Sequence, residues 1–180
     1  MRLVYSSRVI QTLTGENEVV RGTELRRAVA GFEKEYGDMA VERLDGEEAT
    51  YERMAEAAQS LPFLATRKLV VLRAPGANKE FAEKFEAFIT GVSETNDVII
   101  VEPKLDKRLS YYKQLKKLTD FKEFAVLDAN GLARFAADYA KEQGGSLSSS
   151  DARLLVERTG TNQLGLQQEL DKLLAFSASI

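Results

Sequence analysis

Three segments of this sequence hold residues whose types and spacing could do chemistry. The first is Thr14-Gly15-Glu16-Asn17-Glu18-Val19-Val20-Arg21, which follows an apolar run and precedes a helical pattern. Strand, glycine turn and helix in that order is where a phosphate cradle would sit. Glycines there let backbone N–H groups wrap the phosphates, and a following Gly-Lys-Ser/Thr supplies a positive charge and a magnesium ligand. Here no Gly-Lys-Thr follows, and Glu16 and Glu18 put carboxylates where they would repel phosphates. The third apolar run should carry the acid that holds magnesium in an active site of this kind. It ends at Leu72 and continues Arg73-Ala74-Pro75. On spacing alone two readings stand level: a nucleotide-binding scaffold without nucleotide chemistry, or another doubly wound fold that never bound nucleotide.

The second segment is basic. Lys104, Lys107, Arg108, Lys113, Lys116 and Lys117 surround Tyr111 and Tyr112. Lysines neutralise phosphates and aromatic rings stack on bases, so these six are candidate DNA-contacting residues. The competing reading is a solvated helix face with Leu109, Tyr112 and Leu115 packed inward. The third segment is Leu61-Pro62-Phe63-Leu64, just after a helical stripe that ends near Ala58. Taken by itself it reads as a buried loop tying that helix to the next strand. Glu16, Glu18, Glu47 and Glu48 read as surface acids, because a metal site needs converging ligands that spacing does not supply.

Composition narrows the classes further. With no Cys and no His, disulfides, zinc sites built on those residues, thiol nucleophiles and histidine triads are excluded. The formal net charge is -3 and the sequence pI about 5.3, so any pull on nucleic acid must come from a local patch. Met1 to Arg8 is too short and too polar for a signal sequence, and no apolar run approaches the roughly 20 residues a membrane helix needs. A cytoplasmic protein without a membrane contact is the expectation.

The elements that would position these residues come in two regimes. Val9 to Leu13 reads as a strand. Leu25, Ala28, Val29, Phe32 and Tyr36 mark a helix face that stops at Gly37. Met39 to Leu44 reads as a strand, and Tyr51, Met54, Ala55 and Ala58 as a helix. Lys68 to Leu72 is a buried-type strand, followed by a helix on Phe81, Phe85, Phe88 and Ile89. Asp97 to Val101 is a strand, Ser110 to Leu118 a short helix, and Phe121 to Leu127 a last strand. The alternation predicts an α/β domain: a parallel five-stranded sheet with helices on both faces and four crossover helices. Beyond about Asp128 the pattern is helical only. Leu132, Phe135, Ala136, Tyr139 and Ala140 mark one helix that stops at Gly144-Gly145. Ser148 to Asp151 caps a second, with Ala152, Leu155, Val156 and Thr159 on one side. Thr161-Asn162 caps a third, with Leu166, Leu170, Leu173 and Leu174. The chain ends at Ile180, so this small all-α domain is expected to be incomplete.

Four segments in this order resemble the bacterial DNA polymerase III delta subunit. They are Leu13-Thr14-Gly15-Glu16-Asn17; Ser60-Leu61-Pro62-Phe63-Leu64-Ala65-Thr66-Arg67 leading into Lys68 to Leu72; Lys104-Leu105-Asp106-Lys107-Arg108 leading into Tyr112 to Lys117; and Asn162 through Glu169-Leu170-Asp171-Lys172-Leu173. The resemblance covers the chain from Val9 onward. It implies an AAA+-like domain over residues 1–128 with no working ATP site and no cofactor, then a helical lid over residues 129–180. The family's collar domain, which joins the subunit to its pentamer, would be absent. It also implies a subunit that catalyses nothing itself but serves a DNA-directed DNA polymerase holoenzyme. Such a subunit binds and helps open the sliding clamp (the beta subunit), beside the other clamp-loader subunits and primer-template DNA. Two bulky apolar residues at Phe63 and Leu64, with Leu61 close by, would then enter a pocket on the clamp. Two alternatives are a P-loop-like NTPase that still hydrolyses nucleotide, and a stand-alone DNA-binding module using the patch from Lys104 to Lys117.

Overall fold

The computed structural model describes residues 8–176, so the reading of Met1 to Arg8 lies outside the described residues except at Arg8 itself, and so does Ile180. The described chain divides after Phe124 into two units. The first carries strands β1 (Ile10–Thr14), β2 (Val41–Asp45), β3 (Lys68–Arg73), β4 (Asn96–Glu102) and β5 (Asp120–Glu123). They form one parallel sheet in the order β2-β3-β4-β1-β5.

That order dictates where the helices lie. A crossover between parallel strands is right-handed, so its face depends on the direction of travel along the sheet. The step from β1 to β2 runs one way, and α1 (Glu18–Tyr36) covers one face with Leu25, Ala28, Val29 and Phe32, over Leu13, Leu69, Val71, Ile99 and Val101. The steps β2 to β3, β3 to β4 and β4 to β5 all run the other way. Their helices α2 (Tyr51–Gln59), α3 (Lys79–Glu83), α4 (Phe85–Gly91) and α5 (Ser110–Leu118) therefore share the opposite face. There Met54, Ala58, Phe81, Phe85, Phe88 and Leu115 bury Val70, Leu72, Val98 and Ile100. Burial on both faces is why β3 and β4 read as unbroken apolar runs rather than alternating ones. Phe81 is central, with its ring centroid 4.8 Å from that of Phe88 and 5.9 Å from that of Phe85.

The five strands and the two-sided cover match the expectation, with local corrections. The third crossover is broken at Lys84 into α3 and α4, so its three phenylalanines come from two short helices. The first strand starts one residue later than Val9. Asp38–Ala40 is a turn of 3-10 helix, so the second strand begins at Val41 rather than Met39. The last strand ends at Glu123, not Leu127, because Phe124 turns inward to close the Gly15 turn.

The second unit is three helices, α6 (Ala129–Glu142), α7 (Ser149–Thr159) and α8 (Gln163–Phe176). Leu132, Ala136, Ala152, Val156, Leu166 and Leu170 make its core. Each N-terminus has a side-chain cap, as Ser, Asn and Asp there favour: Asp128 Oδ1 accepts from Gly131 N at 2.7 Å, Ser148 Oγ from Asp151 N at 3.1 Å, and Asn162 Oδ1 from Leu164 N at 3.1 Å. Tyr139 ties α6 to α8 by donating to Asp171 Oδ1 at 2.6 Å.

Gly15 combines a left-handed backbone with no room for a side chain. Its φ is +108°, and a Cβ there would lie 2.2 Å from the Phe124 carbonyl oxygen. Gly15→Ala should therefore cost about 2 kcal/mol or more and lower the melting temperature by several degrees. An unchanged thermal transition followed by circular dichroism would contradict this account of the turn.

Candidate functional site

Open α/β sheets bind ligands outside the carboxyl ends of the strands, where neighbouring strands send their chains to opposite faces. Here that point lies between β1 and β4, beyond Thr14 and Glu102, which are partners in register. The turn after β1 is stitched to the end of β5. Phe124 N donates to Thr14 O at 2.8 Å, and Asn17 N to Phe124 O at 3.0 Å. The Asn17 side chain accepts from Val20 N at 3.2 Å, and the buried Arg21 guanidinium donates to Gly15 O. Of the turn's backbone donors, Asn17 N, Glu18 N and Val20 N are thus engaged by the protein's own groups.

Beside this turn sits Glu102, which the sequence reading missed. It is 4% exposed, and its Oε1 accepts from Gly76 N at 2.7 Å and from Tyr111 OH at 2.9 Å. Burial pushes its carboxyl up to about 7, against the pull of those two donors. Burial, then the Glu102 carboxylate, push the Tyr111 phenol up in turn. The available signal was an acid continuing the apolar run of β4 before Pro103. Among the described residues no group of three or more acids is placed to hold a metal ion, and no helix is long and apolar enough to cross a membrane.

At the opposite, amino end of the strands the picture reverses. The loop between α2 and β3 exposes Leu61 by 74%, Phe63 by 94% and Leu64 by 66%. The reading as a buried anchoring loop is thereby corrected: the apolar face of α2 ends at Ala58, and the chain leaves the core there. Both flanks of the loop are fixed. The buried Asn96 donates from Nδ2 to Ala58 O and to Ser60 O, each at 2.8 Å. Lys68 Nζ donates to Ala57 O at 2.9 Å and pairs with Glu42 at 2.6 Å. Burial pushes the Glu42 carboxyl up, but Lys68 and then Arg53 outweigh it and hold it below its ordinary value. On the far flank Arg67 pairs with Asp97 at 2.6 Å. Asn96 and Met39, the latter beside the loop on its 3-10 turn and 74% exposed, were also missed. Asn96 was visible only as a polar residue opening an apolar strand.

The structure sorts the basic segment. Lys107 pairs with Glu123 at 2.6 Å and Arg108 with Asp106 at 2.7 Å. Lys104, Lys113, Lys116 and Lys117 are exposed and form no ion pair among the described residues. The inward face of α5 is Tyr111 and Leu115, not Leu109 and Tyr112. Leu109 is 56% exposed, and Tyr112 packs edge-on against Phe121 at 5.6 Å. Tyr111, held at Glu102, is not available to stack on a base.

The raised Glu102 carboxyl has a consequence for stability. Between its ordinary value of 4.5 and about 7 the folded chain holds a proton that the unfolded chain releases. This group's contribution is thus full at the low end of that window, falls as pH rises through it, and is lost above. Glu102→Gln keeps the acceptor oxygen and removes the charge. Melting temperatures of the two proteins should converge near pH 5, with the variant higher near pH 8; parallel pH profiles would contradict this.

A family model described as DNA polymerase III, delta subunit, matches residues 23–125, more than half of the chain. The DNA polymerase III subunit delta of Bacillus subtilis (strain 168) is 26% identical over 172 residues, covering 89% of this chain and 50% of that protein. The chain thus spans about half the length of this curated relative. Among solved structures, the Bacillus subtilis DNA clamp loader delta protein has a TM-score of 0.69 at 22% identity, over 97% of this chain and 56% of that chain. A RuvB variant of Thermotoga maritima gives 0.56 at 11% identity, over 93% of this chain and 56% of that one. A DNA polymerase III gamma subunit-related protein of Thermotoga maritima gives 0.52 at 18%, over 95% of this chain and 58% of that one. At such identities these likenesses show the fold alone: a parallel five-stranded sheet covered by helices. Together with the family match, the sheet order and the following three-helix unit establish that the chain belongs to the DNA polymerase III delta subunit family, the clamp-loader delta subunits of DNA replication.

Proposed function

We propose that this chain grips the sliding clamp and helps to open it, with Phe63 and Leu64 as the anchors, Leu61 beside them, and no catalysis of its own. One observation carries the reading: Phe63, 94% exposed, stands next to the exposed Leu61 and Leu64 on a loop whose two ends are hydrogen-bonded and ion-paired in place. Removing a side chain of that size from water contributes about 1.5–3 kcal/mol, a gain the unit forgoes by itself and that a partner's pocket can supply. Fixed flanks and Pro62 lower the ordering that binding would require. The engaged donors of the Gly15 turn support a subunit that works without nucleotide chemistry. The roles expected of residues 1–128 and 129–180, as clamp-binding domain and lid, belong to this proposal, as do the other clamp-loader subunits as partners and a cytoplasmic setting.

Primer-template DNA is a secondary partner in this reading, met by the lysine face of α5. Lys113, Lys116 and Lys117 recur at helical spacing and are exposed, whereas Lys107 and Arg108 are already ion-paired.

Phe63→Ala and Leu64→Ala should each weaken binding to purified sliding clamp by about 2–4 kcal/mol while leaving the melting temperature in place. Intact binding with a melting temperature lowered by many degrees would make these residues core and remove the proposal's support. In the same preparation, calorimetry with ATP and magnesium should give no binding heat; a micromolar dissociation constant would favour the NTPase alternative. DNA binding should be weak and steeply salt-dependent, and lower still in the Lys113/Lys116/Lys117→Ala triple variant. Tight binding that survives physiological salt would point to the DNA-binding module instead.

A further inference from the structure

Ten large apolar side chains are exposed among the described residues, and four of them, Met39, Leu61, Phe63 and Leu64, border one cleft. The cleft has a volume of about 530 Å³, and it also takes in Ala40, Val41 and Ala65. Its walls come from two separate stretches of chain: the 3-10 turn before β2 and the loop before β3. These stretches are neighbours because β2 and β3 pair in register from Val41 and Leu69 onward. The 3-10 turn is set to present Met39. Ala40 points inward and is 3% exposed, Met39 points outward, and Asp38 Oδ1 accepts from Met39 N at 2.9 Å. Of the charged residues in the lining, Glu42 has both carboxylate oxygens engaged, one by Lys68 and the other by Arg53. The surface is therefore a knob with a cleft beside it, whose lining is mostly apolar but includes Asp38 at one edge and the paired Glu42 and Lys68.

We propose that contact with the clamp is reciprocal: while Phe63 and Leu64 enter the clamp, an apolar side chain of the clamp enters the cleft between Met39 and the loop, with Met39 as its outer wall. This rests on the clamp-gripping reading above and goes beyond it by adding a second chain segment and a receiving site. The cleft's volume is in the range of pockets that enclose small apolar groups. An unbranched thioether is suited to close over a side chain whose shape it must follow. A second copy of this chain is the poorer occupant. Four side chains of this size offer on the order of 500 Å², short of the roughly 800 Å² per partner of a stable interface. The patch is sized as the anchor of a larger contact with another protein.

The test measures binding of the chain to immobilised sliding clamp by surface plasmon resonance, with a thermal melt for every variant. Met39→Glu places a charge on the cleft wall, Met39→Leu keeps it apolar, and Ala65→Trp fills the cleft while leaving the anchor residues themselves unsubstituted. Met39→Glu and Ala65→Trp should each weaken binding by about tenfold or more at an unchanged melting temperature, and Met39→Leu by less than about threefold. Should Ala65→Trp fail to fold, the two Met39 variants decide. If Met39→Glu stays within about twofold of the parent while Phe63→Ala loses binding, the inference is overturned and the clamp-gripping reading stands. If the parent does not bind the clamp, both fall. Sedimentation of the parent supplies the remaining outcome: a dimer that Met39→Glu dissolves would assign the cleft to a second copy and overturn the inference.

Discussion

The right-handedness of crossovers between parallel strands is the constraint on which the first unit depends. Once β1 lies between β4 and β5, the path to β2 must pass over one face and the return through β3 and β4 to β5 over the other. That rule alone puts α1 opposite α2, α3, α4 and α5, and it creates two cores rather than one. It also fixes which loops meet. Turns after β1 and β4 converge at the carboxyl end, and those before β2 and β3 at the amino end. Both surfaces with chemical interest are consequences of that sorting.

At the carboxyl end the meeting point is filled from within. Gly15 admits the Phe124 carbonyl, Arg21 reaches back to the Gly15 carbonyl, and Glu102 accepts from Gly76 and Tyr111. A buried acid with two donors is tolerable because both hydrogen bonds are short and the proton can be retained near neutral pH. At the point where open α/β sheets bind ligands, these groups of the protein face one another. The other end of the sheet carries the exposed apolar loop on which the proposed clamp contact rests.

The physics of that end is preorganisation. A flexible apolar loop would collapse onto the nearest core or lose much of its binding free energy to ordering. Asn96, placed at the start of β4 by pairing with Lys68 in register, holds Ala58 and Ser60, and Arg67 is held by Asp97. Leu61, Phe63 and Leu64 therefore stand between two fixed points only a few residues apart. Glu42, Lys68 and Arg53 form an ion cluster behind them, in which each carboxylate oxygen of Glu42 meets one of the two cations. Met39 joins this surface because the turn after α1 is short and its neighbour Ala40 is drawn inward.

How much of this was legible in the sequence follows from which interactions are local. Strand and helix types were readable because burial on both faces leaves β3 and β4 continuously apolar, and because Phe81, Phe85 and Phe88 recur at helical spacing. The caps at Ser148 and Asn162 were readable because a cap acts within three or four residues of itself. The absent phosphate lysine was readable as a missing residue in a short motif. Whether Leu61, Phe63 and Leu64 are core or surface was not, because apolar residues beside a helix look alike in either role, and Asn96, which holds the loop outward, lies some thirty residues further on. Glu102 and Tyr111 were misjudged for the same reason. Their partnership, and the choice of Tyr111 over Tyr112 as the inward ring, depend on where β4 and α5 meet Gly76 in space. The sequence by itself determined the elements and showed that no Gly-Lys-Ser/Thr motif follows Gly15. Only the tertiary structure decided which apolar residues face water, since exposure is a property of what other segments fail to cover.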